Sequence, residues 1–187
     1  MRGRRNGAAA RVGPVSLPGD TMQARLSFAL VFSALLSIAA GCDPRNIGEL
    51  EEGVSTEADV RARFGEPVRV YDEPNGDRTF EYPRQPEGTT NYMISIGPDG
   101  KMSSLRQVVK PAEFAKVTPG LDQAQVRRLL GQPAKMQAYA LKNEDVWDWR
   151  FADGQEIKVF SVTFDRTGHV VTTAITLDPK EAGQLGR

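Results

Sequence analysis

Thr56-Glu57-Ala58-Asp59-Val60-Arg61-Ala62-Arg63-Phe64-Gly65-Glu66-Pro67 returns 66 residues later as Asp122-Gln123-Ala124-Gln125-Val126-Arg127-Arg128-Leu129-Leu130-Gly131-Gln132-Pro133. The pairs Ala58/Ala124, Val60/Val126, Arg61/Arg127, Gly65/Gly131 and Pro67/Pro133 are identical. The match runs on. Phe80-Glu81-Tyr82 aligns with Trp147-Asp148-Trp149 at an offset of 67, and Tyr92, Ile94, Ile96 and Gly100 align with Phe160, Val162, Phe164 and Gly168 at 68. Single-residue loop insertions produce such a drift, and self-similarity at a fixed period marks a repeated structural unit. The predicted fold class is α+β: two tandem modules, each with short helices packed on a small antiparallel sheet.

Each repeat opens with helix signals. Thr56 or Asp122 can accept from the free amides of a first turn, with Asp59 or Gln125 three positions on as the reciprocal partner. Val60 with Phe64, and Val126 with Leu129 and Leu130, form one apolar stripe. Gly65 and Gly131 supply a left-handed residue after the helix, and a proline two positions later stops it. Strands follow. Val68 to Tyr71 and Arg78 to Tyr82 flank Asn75-Gly76, a strong hairpin turn. Tyr92, Ile94 and Ile96 alternate with polar or flexible residues, and Pro98-Asp99-Gly100 turns the chain into Met102 to Val109. The second repeat gives Val146 to Phe151, Ile157 to Phe164 and Val170 to Leu177. Period-two alternation predicts sheets with one buried face. Phe80, Tyr82, Tyr92, Ile94, Ile96, Trp147, Trp149, Phe160, Val162 and Phe164 are expected to face the helices.

Upstream of the repeats the chain reads as an address. Arg2, Arg4, Arg5, Arg11 and Arg25 precede Leu26 to Ala40, an uncharged run of 15 residues that ends in small side chains. These are the parts of a secretory signal, and the run is shorter than the roughly 20 residues of a spanning helix. Met22 would begin a compact signal on its own, which makes it a candidate true start. Ala39-Ala40-Gly41-Cys42 resembles the bacterial lipobox, with Ala39 where Leu is usual, and implies a diacylated Cys42. Two acyl chains anchor a protein stably where one does not. Cys42 is the only cysteine, so stability must come from the core rather than from a disulfide. The expected organisation is a signal peptide at 1–41, a lipidated tether at 42–49, modules at 50–109 and 120–178, a linker at 110–119 and a tail at 179–187.

The chain carries 24 basic and 24 acidic residues. Residues 1–41 hold five arginines and Asp20, so the remainder has 19 basic and 23 acidic side chains, a net charge of −4. That balance argues against nucleic acid as a partner and against a polybasic membrane patch.

Gly53 to Pro83, GVSTEADVRARFGEPVRVYDEPNGDRTFEYP, with the alternating strand and Asp99-Gly100 after it, resembles the small envelope lipoproteins called SmpA/OmlA or BamE-like. Val117 to Pro133, VTPGLDQAQVRRLLGQP, resembles the same helix again. The resemblance spans residues 47–178. It implies a helix pair on a small sheet, a lipid anchor, and a non-enzymatic role in the complex that inserts β-barrel proteins into the outer membrane. Two such modules in tandem are similar in architecture to the β-lactamase inhibitory protein. The chain departs from the family in having two modules, and only Asp43 to Leu50 between the lipobox cysteine and the first helix. No partner-binding residue transfers by motif. The family argument points to the outer membrane, facing the periplasm. Asp43, which in the enteric sorting rule retains lipoproteins in the inner membrane, argues the other way.

Motifs for chemistry are sparse. His169 is the only histidine, and a zinc site without further His or Cys would be unusual. Glu51-Glu52 and Glu144-Asp145 sit in no calcium loop of the EF-hand kind. No phosphate loop or nucleophile elbow is present in the sequence. The expectation is a protein that is not an enzyme and takes no metal or cofactor. Its partners would be envelope proteins, among them the barrel-assembly complex, with the membrane reached through the lipid. The sheet faces turned away from the helices offer Glu81, Met93, Ser95, Arg106, Asp148, Arg150, Ser161 and Thr163. Of these, Glu81, Met93, Arg106, Asp148 and Arg150 are the candidate partner-binding residues. Two functions remain open: an accessory scaffold in outer-membrane protein assembly and envelope integrity, or a stand-alone periplasmic binding or inhibitor-like module that uses the tandem sheet.

Overall fold

The computed structural model describes residues 47–182. The signal at 1–41, Cys42, Asp43 and the end of the tail lie outside the described residues. The first module runs α1 (Glu57–Phe64), β1 (Arg69–Asp72), β2 (Arg78–Pro83), β3 (Asn91–Ile96) and β4 (Met102–Gln107). A short helix, α2 (Pro111–Phe114), follows. The second module runs α3 (Gln123–Leu130), β5 (Lys135–Tyr139), β6 (Glu144–Asp153), β7 (Glu156–Phe164) and β8 (Val170–Leu177), and α4 (Pro179–Ala182) closes the described chain. The strands form two four-stranded antiparallel sheets, ordered β1-β2-β3-β4 and β5-β6-β7-β8.

The repetition in sequence is a repetition in structure. Both long helices start in a full capping box. The Asp59 amide donates to Thr56 Oγ1 at 3.3 Å and the Thr56 amide to Asp59 Oδ2 at 2.8 Å. The matching distances for Gln125 and Asp122 are 2.7 and 2.8 Å. Each box satisfies amides that the first turn leaves free. Both sheets carry a register shift at the same place, beside Ser95/Ile96 in one and Thr163/Phe164 in the other. The glycines that end the helices are not left-handed helical as expected. Gly65 lies at φ 81, ψ −160 and Gly131 at φ 72, ψ −167, a region open essentially to glycine alone.

The first core gathers Val60, Phe80, Tyr82, Ile94, Ile96 and Met102 between α1 and one face of the first sheet. The second gathers Val126 and Leu130 of α3 with Trp149, Phe151, Phe160, Val162 and Phe164 of the second sheet. Met93 of β3 belongs to this second core, as do Val108 and Val109. The first sheet is therefore buried on both faces. Phe80 and Tyr82 are 0% and 1% exposed, and so are Glu81 and Met93 on the other side. The expectation of one buried face holds for the second sheet and fails for the first, because α3 packs on both sheets. Three elements lie where none was expected, one of them α4, at the start of the expected tail. Strand β5 is an edge with little burial. Helix α2 sits inside the expected linker, and its Phe114 stacks on Phe160 with centroids 4.1 Å apart and planes at 5°.

Candidate binding surfaces and the junction between modules

Glu81 stands in mid-strand on β2, with its side chain 0% exposed. A buried carboxylate must be paired and hydrogen-bonded, and the second module supplies the partners. Arg127 of α3 donates through Nη2 at 3.2 Å and Nε at 3.4 Å, and the Gln132 amide donates at 2.8 Å. The first module adds Tyr71, whose hydroxyl donates to Glu81 Oε2 at 2.8 Å. Burial first, and then the Glu81 carboxylate, push the Tyr71 hydroxyl up to about 12.

Two further locks cross the junction. Asn91, fully buried, donates through Nδ2 to the carbonyls of Leu130 at 2.8 Å and Gln132 at 2.9 Å. Carbonyls at the end of a helix lack partners within it, and Asn91 fills that need. Gln85 treats the edge of β6 as a strand would. Its Nε2 donates to the Arg150 carbonyl at 2.7 Å and its Oε1 accepts from the Arg150 amide at 3.3 Å. Strand β5 begins opposite Asp148, so this side-chain amide covers the stretch of edge that β5 leaves open.

Two of the five candidate binding residues are thereby corrected. Glu81 and Met93 offer nothing to a partner, because α3 covers their face. Arg150 is engaged as well: Nε donates to Asp178 at 2.5 Å and Nη1 to the Pro86 carbonyl at 3.0 Å. Asp178 is almost wholly buried, which works to raise its pKa. The Arg150 guanidinium and the Lys180 amide outweigh that effect and hold it below the usual carboxylate value.

Arg106 is exposed, and lines a cleft of ≈ 380 Å³ with Glu73, Thr79, Leu121, Gln125, Arg128 and Leu129. Asp148 lies on the outer face of the second sheet, bonded by Ser161 Oγ at 2.6 Å. In register with it are Lys135 and Ser161, and then Ala174 beyond. Thr163 and Thr172 continue the same polar face. The sequence could not tell which sheet kept its outer face open, since both alternate in the same way.

The remaining chemical candidates are structural. His169 Nδ1 lies 2.9 Å from Thr167 Oγ1 in the turn built on Asp165. The Trp149 indole is 0% exposed and donates to the Gly131 carbonyl at 3.1 Å. Glu52 accepts from the Leu105 amide at 2.8 Å. Among the described residues no three His, Cys, Asp or Glu side chains gather as metal ligands would, and no helix is long and apolar enough to cross a membrane.

Fold and junction define a class: a fused pair of α+β repeats that share a helix across two sheets. No family model matches the chain, and no curated protein does. Among solved structures, a chain named as an osmotically inducible lipoprotein, OsmE, is 25% identical over 43% of this chain and 78% of its own, with a TM-score of 0.31. A DUF4309 family protein, YjgB from Bacillus subtilis, is 19% identical over 70% and 83%, with a TM-score of 0.29. A chain named for a β-lactamase inhibitor from Streptococcus mutans is 13% identical over 82% and 98%, with a TM-score of 0.31. Likeness at these TM-scores carries no argument about what this chain does.

Proposed function

We propose that this chain is a non-enzymatic lipoprotein of the cell envelope, anchored through Cys42, and an accessory scaffold in outer-membrane protein assembly. The observation that carries the reading is the outer face of the second sheet. Lys135, Asp148, Ser161, Thr163 and Thr172 form an open polar surface, fixed by the buried locks at Glu81, Asn91 and Gln85. A surface that is ordered before binding loses little entropy when a partner docks. In this reading the leader and the lipidated Cys42 hold that surface at a membrane. The test is a crosslinking pull-down from membranes with the lipidated protein as bait and Cys42→Ala as control. Barrel-assembly components captured by the lipidated form and lost with the control are the expected result. Their absence from both captures overturns the assembly role.

A second reading, a stand-alone periplasmic binding or inhibitor-like module, is favoured by the β5–β6 hairpin. Met136 is 60% exposed, Tyr139 41% and Leu141 fully so. Exposed large apolar side chains along one hairpin offer contacts to a partner. This reading expects one stoichiometric partner whose capture survives Cys42→Ala and fails with Leu141→Asp. Capture that is indifferent to Leu141→Asp contradicts it.

A further inference from the structure

Three of the four sheet edges are covered, short or charged. On β4, the Gly53 amide donates to the Met102 carbonyl at 2.8 Å and the Met102 amide to the Ser55 carbonyl at 2.8 Å, while Glu52 takes the Leu105 amide at 2.8 Å. Strand β1 has 4 residues and carries Arg69 and Asp72 at its ends. Strand β5 has 5 residues and begins at Lys135. Such devices protect an edge from pairing with other chains. Strand β8 is covered only at Val170 and is otherwise neither short nor charged. Its 8 residues, VVTTAITL, include no charge and no proline.

The repeat makes the contrast specific. The Gly120 amide donates to the Val170 carbonyl at 2.9 Å and the Val170 amide to the Leu121 carbonyl at 2.8 Å, as Gly53 and Ser55 do with Met102. The residue before Gly53 is Glu52, but the residue before Gly120 is Pro119. Thr173 stands opposite Val162 as Leu105 stands opposite Ile94, so its amide turns outward in the same way. Pro119 has no side-chain acceptor to offer it. Beyond Val170, no hydrogen bond joins the outer edge of β8 to another described residue.

We infer that β8 is the seam of a symmetric pair, in which the β8 strand of a second copy adds antiparallel to it and joins two four-stranded sheets into one of eight. A row of outward amides and carbonyls calls for an extended strand as its occupant. A two-fold axis sets the strand against itself, so every side chain must tolerate its like. An uncharged strand meets that condition, and Val, Thr and Ile opposite one another are favourable cross-strand pairs. Val171 and Ile175, each 51% exposed, lose water contact in the pair. The inference is independent of the binding role proposed above.

Sedimentation velocity on the full chain in detergent, from micromolar to hundreds of micromolar, tests it. The wild type is expected to pass from monomer to dimer. Ile175→Lys should raise the dissociation constant about tenfold or more, as a charge on an edge strand does, with circular dichroism unchanged. Val70→Lys, on β1 and 43% exposed in the wild type, should leave the dimer intact. If Ile175→Lys loses the fold, Pro119→Glu decides the matter, since it supplies the carboxylate that the Thr173 amide lacks and should also weaken the dimer. Hydrogen exchange at Thr173 should slow as the protein is concentrated. A wild type that stays monomeric throughout, with or without another protein captured at β8, overturns the inference. So does a dimer that neither variant weakens.

Discussion

Glu81 ties two modules through one carboxylate, and its environment makes its partners unequal. Arg127→Met leaves a fully buried charge without its cation, a change that costs about 3–5 kcal/mol. Glu81→Gln keeps the shape and removes the charge, and should cost less; urea unfolding of both variants measures the difference. The helix-ending glycines differ in a similar way. A Cβ on Gly65 meets nothing within 4 Å, whereas one on Gly131 comes 3.0 Å from Asn91 Nδ2. Both substitutions to alanine carry the backbone penalty of about 1–3 kcal/mol for this region. Gly131→Ala should be the worse of the two, because it also pushes on the Asn91 lock. Asp178 sets a pH dependence. Its folded pKa is held below the unfolded value, so its contribution is complete above about pH 4 and fades as pH falls through the folded pKa. Arg150→Met should flatten that part of the curve of melting temperature against pH. A wild-type slope retained in the variant would remove Asp178 from the account. The three locks were not legible in the sequence. Glu81 on an alternating strand has the pattern of a solvated residue, and only the position of α3 reveals that it is buried.

At the scale of elements, α2 is the clearest test. Phe114 stacks on Phe160 and meets Phe151 edge-on at 4.9 Å, so Phe114→Ala should cost about 3–5 kcal/mol in thermal or urea unfolding. A segment that merely linked modules would lose almost nothing. The helices α1 and α3 and seven of the eight strands were readable, since capping residues, glycine stops and period-two runs are local signals. Strand β5 was not, because Lys135-Met136-Gln137-Ala138-Tyr139 is short and hardly buried and its order comes from pairing with β6. Helix α2 is a single turn, too short to show a periodicity. The core residues followed from strand phase, and Trp149, Phe160, Val162 and Phe164 face α3 as expected. The outer faces did not follow. Alternation gives the two sides of a strand without saying whether another module covers the second one.

At the scale of the molecule, the described residues 47–182 fall in one compact unit, although the sequence repeats as two. The shared helix explains this. Helix α3 contributes Val126 and Leu130 to a core that also holds Met93 of the first sheet, and contributes Arg127 to the Glu81 lock. Neither repeat then completes its own burial, a general property of stacked repeats. The duplicated pattern therefore builds one body with one open sheet face, and the proposed scaffold role depends on that rigidity. Differential scanning calorimetry of the full chain tests this most directly. A single transition whose van't Hoff and calorimetric enthalpies agree is the expected result. Two separable transitions, one for each repeat, would contradict the shared helix and the rigid junction together.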